Sequence, residues 1–201
     1  MDFDSVEYWK KRYADGGNSG SGSYGGLAKF KASSLNAFIA ENSVASIVEY
    51  GSGDGNQLGM INIDRYLGLD VSPDAIAKTT EMYKDDPTKT FRVYEPDSHT
   101  ASELTQADLA ISMDVILHLT EDERYEKYLV NLFASATRFV GIFNTATEEQ
   151  LSTMAKHNRF RDHRLWIRAQ ATLIAEVNVD MLPDSYGYPL QTGFYYYEVT
   201  Q

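Results

Sequence analysis

The sequence predicts an α/β fold, a doubly wound and mostly parallel sheet of seven strands with an antiparallel hairpin at its carboxyl-terminal edge. Three observations carry this. Short β-rich runs alternate with helical segments through the middle of the chain, a glycine-rich turn follows the first run, and the last two runs are joined by too few residues for a crossover helix.

In chain order, the first element is an aromatic amphipathic helix over Val6 to Tyr13, carrying Tyr8, Trp9 and Tyr13. The low-complexity stretch GGNSGSGSYGG, Gly16 to Gly26, follows. Its glycines and serines have little to bury and much backbone entropy to lose, so it is expected to be a mobile loop. It reads either as a plain linker or as a lid; a linker would need a domain before it, which the preceding residues are too few to form. A second helix is expected over Leu27 to Glu41. Strands are then expected at Ser46–Tyr50, Tyr66–Val71, Thr90–Tyr94, Leu109–Met113 and Arg138–Phe143. Helices separate them over Pro73 to Tyr83, with Ser72 as N-cap and proline in the first turn, and over Glu121 to Ala136, with Leu129, Leu132 and Phe133 on one face. Leu173–Val179 and Phe194–Val199, joined by LPDSYGYPLQTG, form the hairpin.

Composition narrows the function classes. A chain of 201 residues with 43% hydrophobic and 23% charged residues is expected to be one compact domain over 1–201, divided into a helix and lid (1–26) and a core (27–201). Eighteen Lys and Arg against 29 Asp and Glu leave a net charge of −11, which disfavours nucleic acid and anionic membranes as partners. The absence of cysteine excludes disulfides, thiolate chemistry and cysteine-bound zinc. An acidic start without an apolar run, and no long apolar stretch elsewhere, point to a soluble cytoplasmic protein.

The most informative stretch is Glu49-Tyr50-Gly51-Ser52-Gly53-Asp54-Gly55, a glycine turn at the end of the first strand. Ligands of open α/β sheets bind beyond the carboxyl ends of the strands, where glycines let the backbone approach them. Asn56 stands where the dinucleotide fingerprint needs its third glycine, which argues against an oxidoreductase using NAD. Glu49 would repel a pyrophosphate and attract an ammonium or sulfonium, so a cationic ligand is expected.

At this point the sequence resembles the class I S-adenosylmethionine-dependent methyltransferases, whose first motif is acid-x-Gly-x-Gly-x-Gly; Glu49, Gly51, Gly53 and Gly55 match its fixed positions. The resemblance implies a Rossmann-like fold, S-adenosyl-L-methionine as cofactor, Asp70 on the ribose hydroxyls and Val71 against the adenine. Of Glu95, Asp97 and Ser98, it is Asp97 that we take for the adenine amino group. The stretch ADLAISMDVILHL is similar to the fourth-strand motif of many such enzymes, which places Asp114 and Val115 beside the methionine part and His118 facing the reaction cavity. A narrower resemblance, to a small group of microbial and viral methyltransferases linked to glycan modification, runs through YWKKRYADGGNSGSGSYG, HNRFRDH and FYYYEV. It implies a lid that closes over the cofactor, with Tyr8, Arg12 and Gly20 touching the cofactor's carboxylate or the substrate. Phe160 stands where that group has a second histidine of an HxxHR-like pattern.

Methyl transfer is an in-line displacement that gains from positioning and from exclusion of water. An alcohol acceptor also gains from a base near neutrality, for which His118 is the candidate. Lys156 to Arg164 is a basic cluster on an acidic protein, either a solvated helix face or an acceptor site in which Arg159 or Arg161 orients a sugar or diphosphate and His157 acts as a second base. No HxxxH or carboxylate triad stands at metal-ligand spacing, and the metal requirement stays open. The expected activity is O-methylation of a sugar hydroxyl in a glycan or its precursor. Amine or carboxyl methylation and a non-catalytic cofactor-binding scaffold are the alternatives.

Overall fold

The computed structural model describes residues 3–99, 106–152, 154–169 and 174–199. Helix α1 (Ser5–Ala14) starts at Asp4, whose carboxylate accepts the Glu7 N–H at 3.0 Å. Gly16, with φ of +81°, turns the chain away, and a single 3-10 turn leads through Gly25, φ +62°, into α2 (Gly25–Asn42). Strands β1 (Ser46–Tyr50), β2 (Arg65–Asp70), β3 (Lys89–Val93), β4 (Ala107–Met113), β5 (Ala136–Thr145), β6 (Ile174–Met181) and β7 (Thr192–Val199) form one seven-stranded sheet. Its order is β3-β2-β1-β4-β5-β7-β6. The first five strands are parallel, and β7 runs antiparallel between β5 and β6, as the expected hairpin requires. Leu173, the expected first residue of β6, lies outside the described residues.

Helices α3 (Pro73–Met82), α4 (Asp122–Ala134) and α5 (His163–Ala169) complete the set. α3 begins as the Ser-Pro pair dictates, with the Ser72 hydroxyl accepting the Ala75 N–H at 3.3 Å. The crossover from β1 to β2 holds no α-helix, only a 3-10 turn at Leu58–Met60. α2 takes the vacant place on the sheet and buries Leu35, Phe38 and Ile39 there.

Strand alternation sorts the side chains onto two faces. Ile47, Leu109, Ile111, Phe194 and Tyr196 pack toward α2, whereas Val48, Tyr50, Ala110, Tyr195 and Tyr197 pack toward α4 and α5. The tyrosines that build so much of this core are buried with their hydroxyls partnered, Tyr128 to the Ser112 hydroxyl at 2.7 Å and Tyr50 to the Ser135 hydroxyl at 2.8 Å. Glu49 alternates onto the α2 face, inside the core. Among the described residues no helix is long and apolar enough to cross a membrane.

Candidate functional site

A cleft opens at the carboxyl ends of β1, β2 and β4, where the sheet order reverses. Its floor is the glycine turn. Gly51, Gly53 and Gly55 all have left-handed backbone, with φ of +81°, +59° and +79°. A side chain at Gly51 would overlap Val115, and one at Gly53 would overlap Ser19. Gly55 turns away from the cleft toward Thr79 and Tyr83 of the α3 region. The turn is held to β2 through the Gly51 and Ser52 amides, which donate to the Leu69 carbonyl at 2.7 and 3.0 Å.

Acidic groups line the floor. Asp70 accepts the Gly53 N–H on one oxygen and the Ser72 N–H on the other, both at 2.9 Å, and burial pushes its carboxyl up to about 6. Glu49 receives the Tyr66 hydroxyl; burial pushes it up to about 7, against the opposing pull of Tyr66 and the Lys31 charge. The Ser52 hydroxyl is buried on the cleft wall without a partner among the described residues. Asp114, at the end of β4, has φ of +59° and pairs through Oδ2 with Lys31 Nζ at 2.5 Å. Val71 and Val115 complete the apolar part of the wall.

His118 also stands on the wall, in the short turn after β4. Its Nδ1 lies 3.2 Å from the His157 carbonyl, so that nitrogen carries the proton and Nε2 the lone pair. Trp9 packs edge-on against the ring at 4.8 Å, and burial pushes His118 down to about 4, leaving it neutral at pH 7.

The roof is the amino-terminal segment, closed down. Asp54, in the glycine turn, is 2% exposed and accepts the Ser19 N–H at 3.1 Å and the Tyr24 hydroxyl at 2.5 Å. Its own N–H donates to the Ser19 hydroxyl at 2.9 Å, and Asn56 donates to the Ser23 carbonyl at 2.7 Å. α1 is docked separately, with the Ser5 amide and hydroxyl both on Glu121 and Arg124 bridging to Asp4 at 2.8 Å. The loop expected to be mobile is thus latched to the turn it covers.

Of the residues expected at the site, Glu49, Gly51, Ser52, Gly53, Asp70, Val71, Asp114, Val115 and His118 meet in the cleft. The others stand off its lining. α1 turns Val6, Trp9 and Tyr13 into the cleft, so Tyr8 stacks instead on His157 at 4.6 Å and Arg12 lies over Trp9 and donates to the Asn18 carbonyl. Gly20 sits in the loop beyond Arg12, while its neighbours Ser19 and Ser23 reach the wall. Asp97 is exposed and pairs with Arg124 at 3.3 Å; Tyr94 and Pro96, from the same segment, line the cleft. His157 backs His118 through its carbonyl and its ring. Arg161 is only 7% exposed and directs its guanidinium at the Leu119 and Thr120 carbonyls, both at 3.0 Å, and at Asp122. It braces the turn carrying His118 and is not presented to a ligand. Lys31 carried no motif, and among the described residues no three His, Asp or Glu converge as a metal site.

No protein-family model matches the chain, and no curated protein matches it in sequence. Solved structures do match in shape. NodS, an N-methyltransferase of Bradyrhizobium japonicum WM9 in complex with S-adenosyl-L-homocysteine, superposes with a TM-score of 0.74 at 11% identity, covering 99% of this chain and 100% of that one. Magnesium protoporphyrin IX methyltransferase (ChlM) of Synechocystis PCC 6803 with bound SAH gives 0.67 at 13% identity, covering 98% and 100%. DhpI, in a complex with SAM and HEP, gives 0.61 at 17%, covering 98% and 95%. The chain therefore has the Rossmann-like fold of the class I S-adenosylmethionine-dependent methyltransferases, with its cleft at the reversal point of the sheet.

Proposed function

We propose that the protein is an S-adenosylmethionine-dependent methyltransferase that transfers a methyl group to oxygen, most specifically to a sugar hydroxyl of a glycan or glycan precursor. The observation that carries the cofactor is the left-handed glycine turn closed against Asp70 in a fold whose solved counterparts hold SAM or SAH. The lining of the cleft fits that group. Its Ser52 hydroxyl is buried without a partner among the described residues, and Glu49, Asp70 and Asp114 suit a cationic ligand. Asp70 would hold the ribose hydroxyls through the lone pairs left by its two amide bonds, and Val71 would pack on the adenine.

When bound, the cofactor supplies an electrophilic methyl on a sulfonium. This chain's residues supply the rest. The latched segment from Ser19 to Tyr24 excludes water, and the apolar wall of Val6, Trp9 and Val115 lowers the local dielectric constant. For an oxygen acceptor His118 is the candidate base on the wall, its Nδ1 directed at the His157 carbonyl; burial pushes it down to about 4, so bound substrate would have to raise it toward neutrality for it to take a hydroxyl proton efficiently. The sugar assignment rests on the resemblance of the lid, the His157 segment and the terminal strand to glycan-linked methyltransferases. A second reading, transfer to an amine, is favoured by NodS being an N-methyltransferase and by the acidic wall.

The test is incubation with methyl-labelled cofactor and a panel of monosaccharide-bearing and amine-bearing acceptors, alongside calorimetry with SAH. Label on a sugar hydroxyl is expected, with His118→Ala reducing the rate by ~10²–10⁴-fold. Label confined to amines, with His118→Ala nearly as fast as wild type, would overturn the oxygen assignment. Failure of both SAM and SAH to bind would overturn the enzyme class.

A further inference from the structure

Helix α2 carries a lysine in the middle of its buried stripe. Lys31 is 0% exposed, and its Nζ lies 5.2 Å from the centroid of the Phe143 ring. A buried ammonium is costly unless paired, and breaking such a pair costs far more than the pair contributes to stability, so its presence asks for a reason other than stability. Its partner is Asp114 Oδ2 at 2.5 Å, on a side chain that is 26% exposed and lines the cleft. Asp114 Oδ1 accepts no hydrogen bond among the described residues. The backbone of Asp114 is left-handed, a conformation that non-glycine residues adopt at a cost and that persists where its surroundings enforce it.

Two further segments are shaped around the same carboxylate. The lid crosses it at Gly22, where a Cβ would stand 2.7 Å from Oδ2. Glu49, on the neighbouring strand β1, lies close enough for the Lys31 charge to act on it. Among the described residues Lys31 is the one partner of the Asp114 side chain, so without the lysine nothing there would fix its direction.

We propose that Lys31 is a positioning residue for the cofactor: it holds the Asp114 side chain turned at the cleft wall, so that the free carboxylate oxygen receives the ammonium of the cofactor's amino-acid end. This rests on the methyltransferase reading above. A carboxylate fixed by one charge-assisted bond presents its second oxygen in a set direction, which a ligand ammonium needs.

The experiment is calorimetry on the full chain with two ligands, S-adenosylhomocysteine and 5′-methylthioadenosine, which keeps the nucleoside and sulfur but lacks the amino-acid end. Lys31→Met should weaken S-adenosylhomocysteine by about tenfold or more, the scale of one lost charge-assisted hydrogen bond, and leave methylthioadenosine within about twofold of wild type. Lys31→Arg should recover most of the loss. Asp114→Asn should reproduce it, with the double variant adding little. Equal weakening of both ligands in a folded Lys31→Met would make the lysine purely structural and overturn the proposal, as would an unchanged S-adenosylhomocysteine affinity in Asp114→Asn. If Lys31→Met does not fold, Lys31→Arg and Asp114→Asn decide the question. Wild-type protein that binds neither ligand would reject the methyltransferase reading itself.

Discussion

Replacing Asp54 with Ala would loosen the segment that covers the cleft. Two donors converge on one oxygen of this buried carboxylate, the Ser19 amide and the Tyr24 hydroxyl. Burial acts to raise its pKa, but those donors outweigh it and hold the group below the ordinary carboxylate value, so both bonds are charge-assisted at neutral pH. Each such bond contributes about 1.5–3 kcal/mol, and water recovers part of that when the segment lifts, so about 3 kcal/mol separates the latched from the unlatched state through Asp54. Loss of the carboxylate should raise the open fraction roughly a hundredfold. The Ser19 hydroxyl and Asn56 contacts remain in place, so the segment loosens without detaching. Hydrogen exchange read by mass spectrometry over residues 17–24 measures this directly. Those amides should exchange roughly a hundredfold faster in Asp54→Ala while the β1 and β4 amides keep their wild-type rates, and S-adenosylhomocysteine should slow both proteins. Because the folded pKa is lowered, the latch holds above the ordinary carboxylate range and weakens only as the pH falls through that lowered value. Identical exchange in wild type and variant at pH 7 would refute the latch.

Gly53→Ala would place a Cβ against Ser19 on a backbone with φ of +59°, at a left-handed cost of ~1–2 kcal/mol before any overlap is relieved. Chemical denaturation should show the folded state destabilised by about that cost or more, and a variant as stable as wild type would count against the left-handed backbone given to the turn. Glu49→Gln mimics the protonated acid. Since burial raises Glu49 to about 7, the folded state holds a proton that the unfolded chain releases, and this contribution to stability is lost as the pH rises through 7. The melting temperature of the variant relative to wild type should therefore climb between pH 5 and pH 8. A difference that stays constant across that range would refute the assignment.

The sheet was legible because its central strands are short apolar runs bounded by turn residues, and because alternation of strand and helix leaves few topologies open. The glycine turn was legible because only glycine fits three left-handed positions in succession. Other parts of the site follow from packing that leaves little trace in local sequence. Lys31 reads as one more surface lysine in LAKFKAS, and only the placement of α2 over the β1–β2 crossover, which lacks a helix of its own, buries it. Arg161 reads as a free fork for an anion, whereas tertiary folding aims it at two backbone carbonyls. For α1 the signal was present: Val6, Trp9 and Tyr13 are spaced by three and four, one helical face, and Tyr8 and Arg12 fall on the next. The Asp97 position turned on a loop whose apolar members, Tyr94 and Pro96, face the cleft and leave the acid to the surface.

Gly16 and Gly25 stand at the two ends of the covering segment, both left-handed and both with open space where a side chain would be. Each can turn without pushing on a neighbour. α1 keeps its own anchors on Glu121 and Arg124, and α2 keeps its apolar stripe in the core, whichever way the span between them lies. An opening of this segment would therefore turn on two joints rather than on a hinged helix, and would leave the sheet and both flanking helices packed.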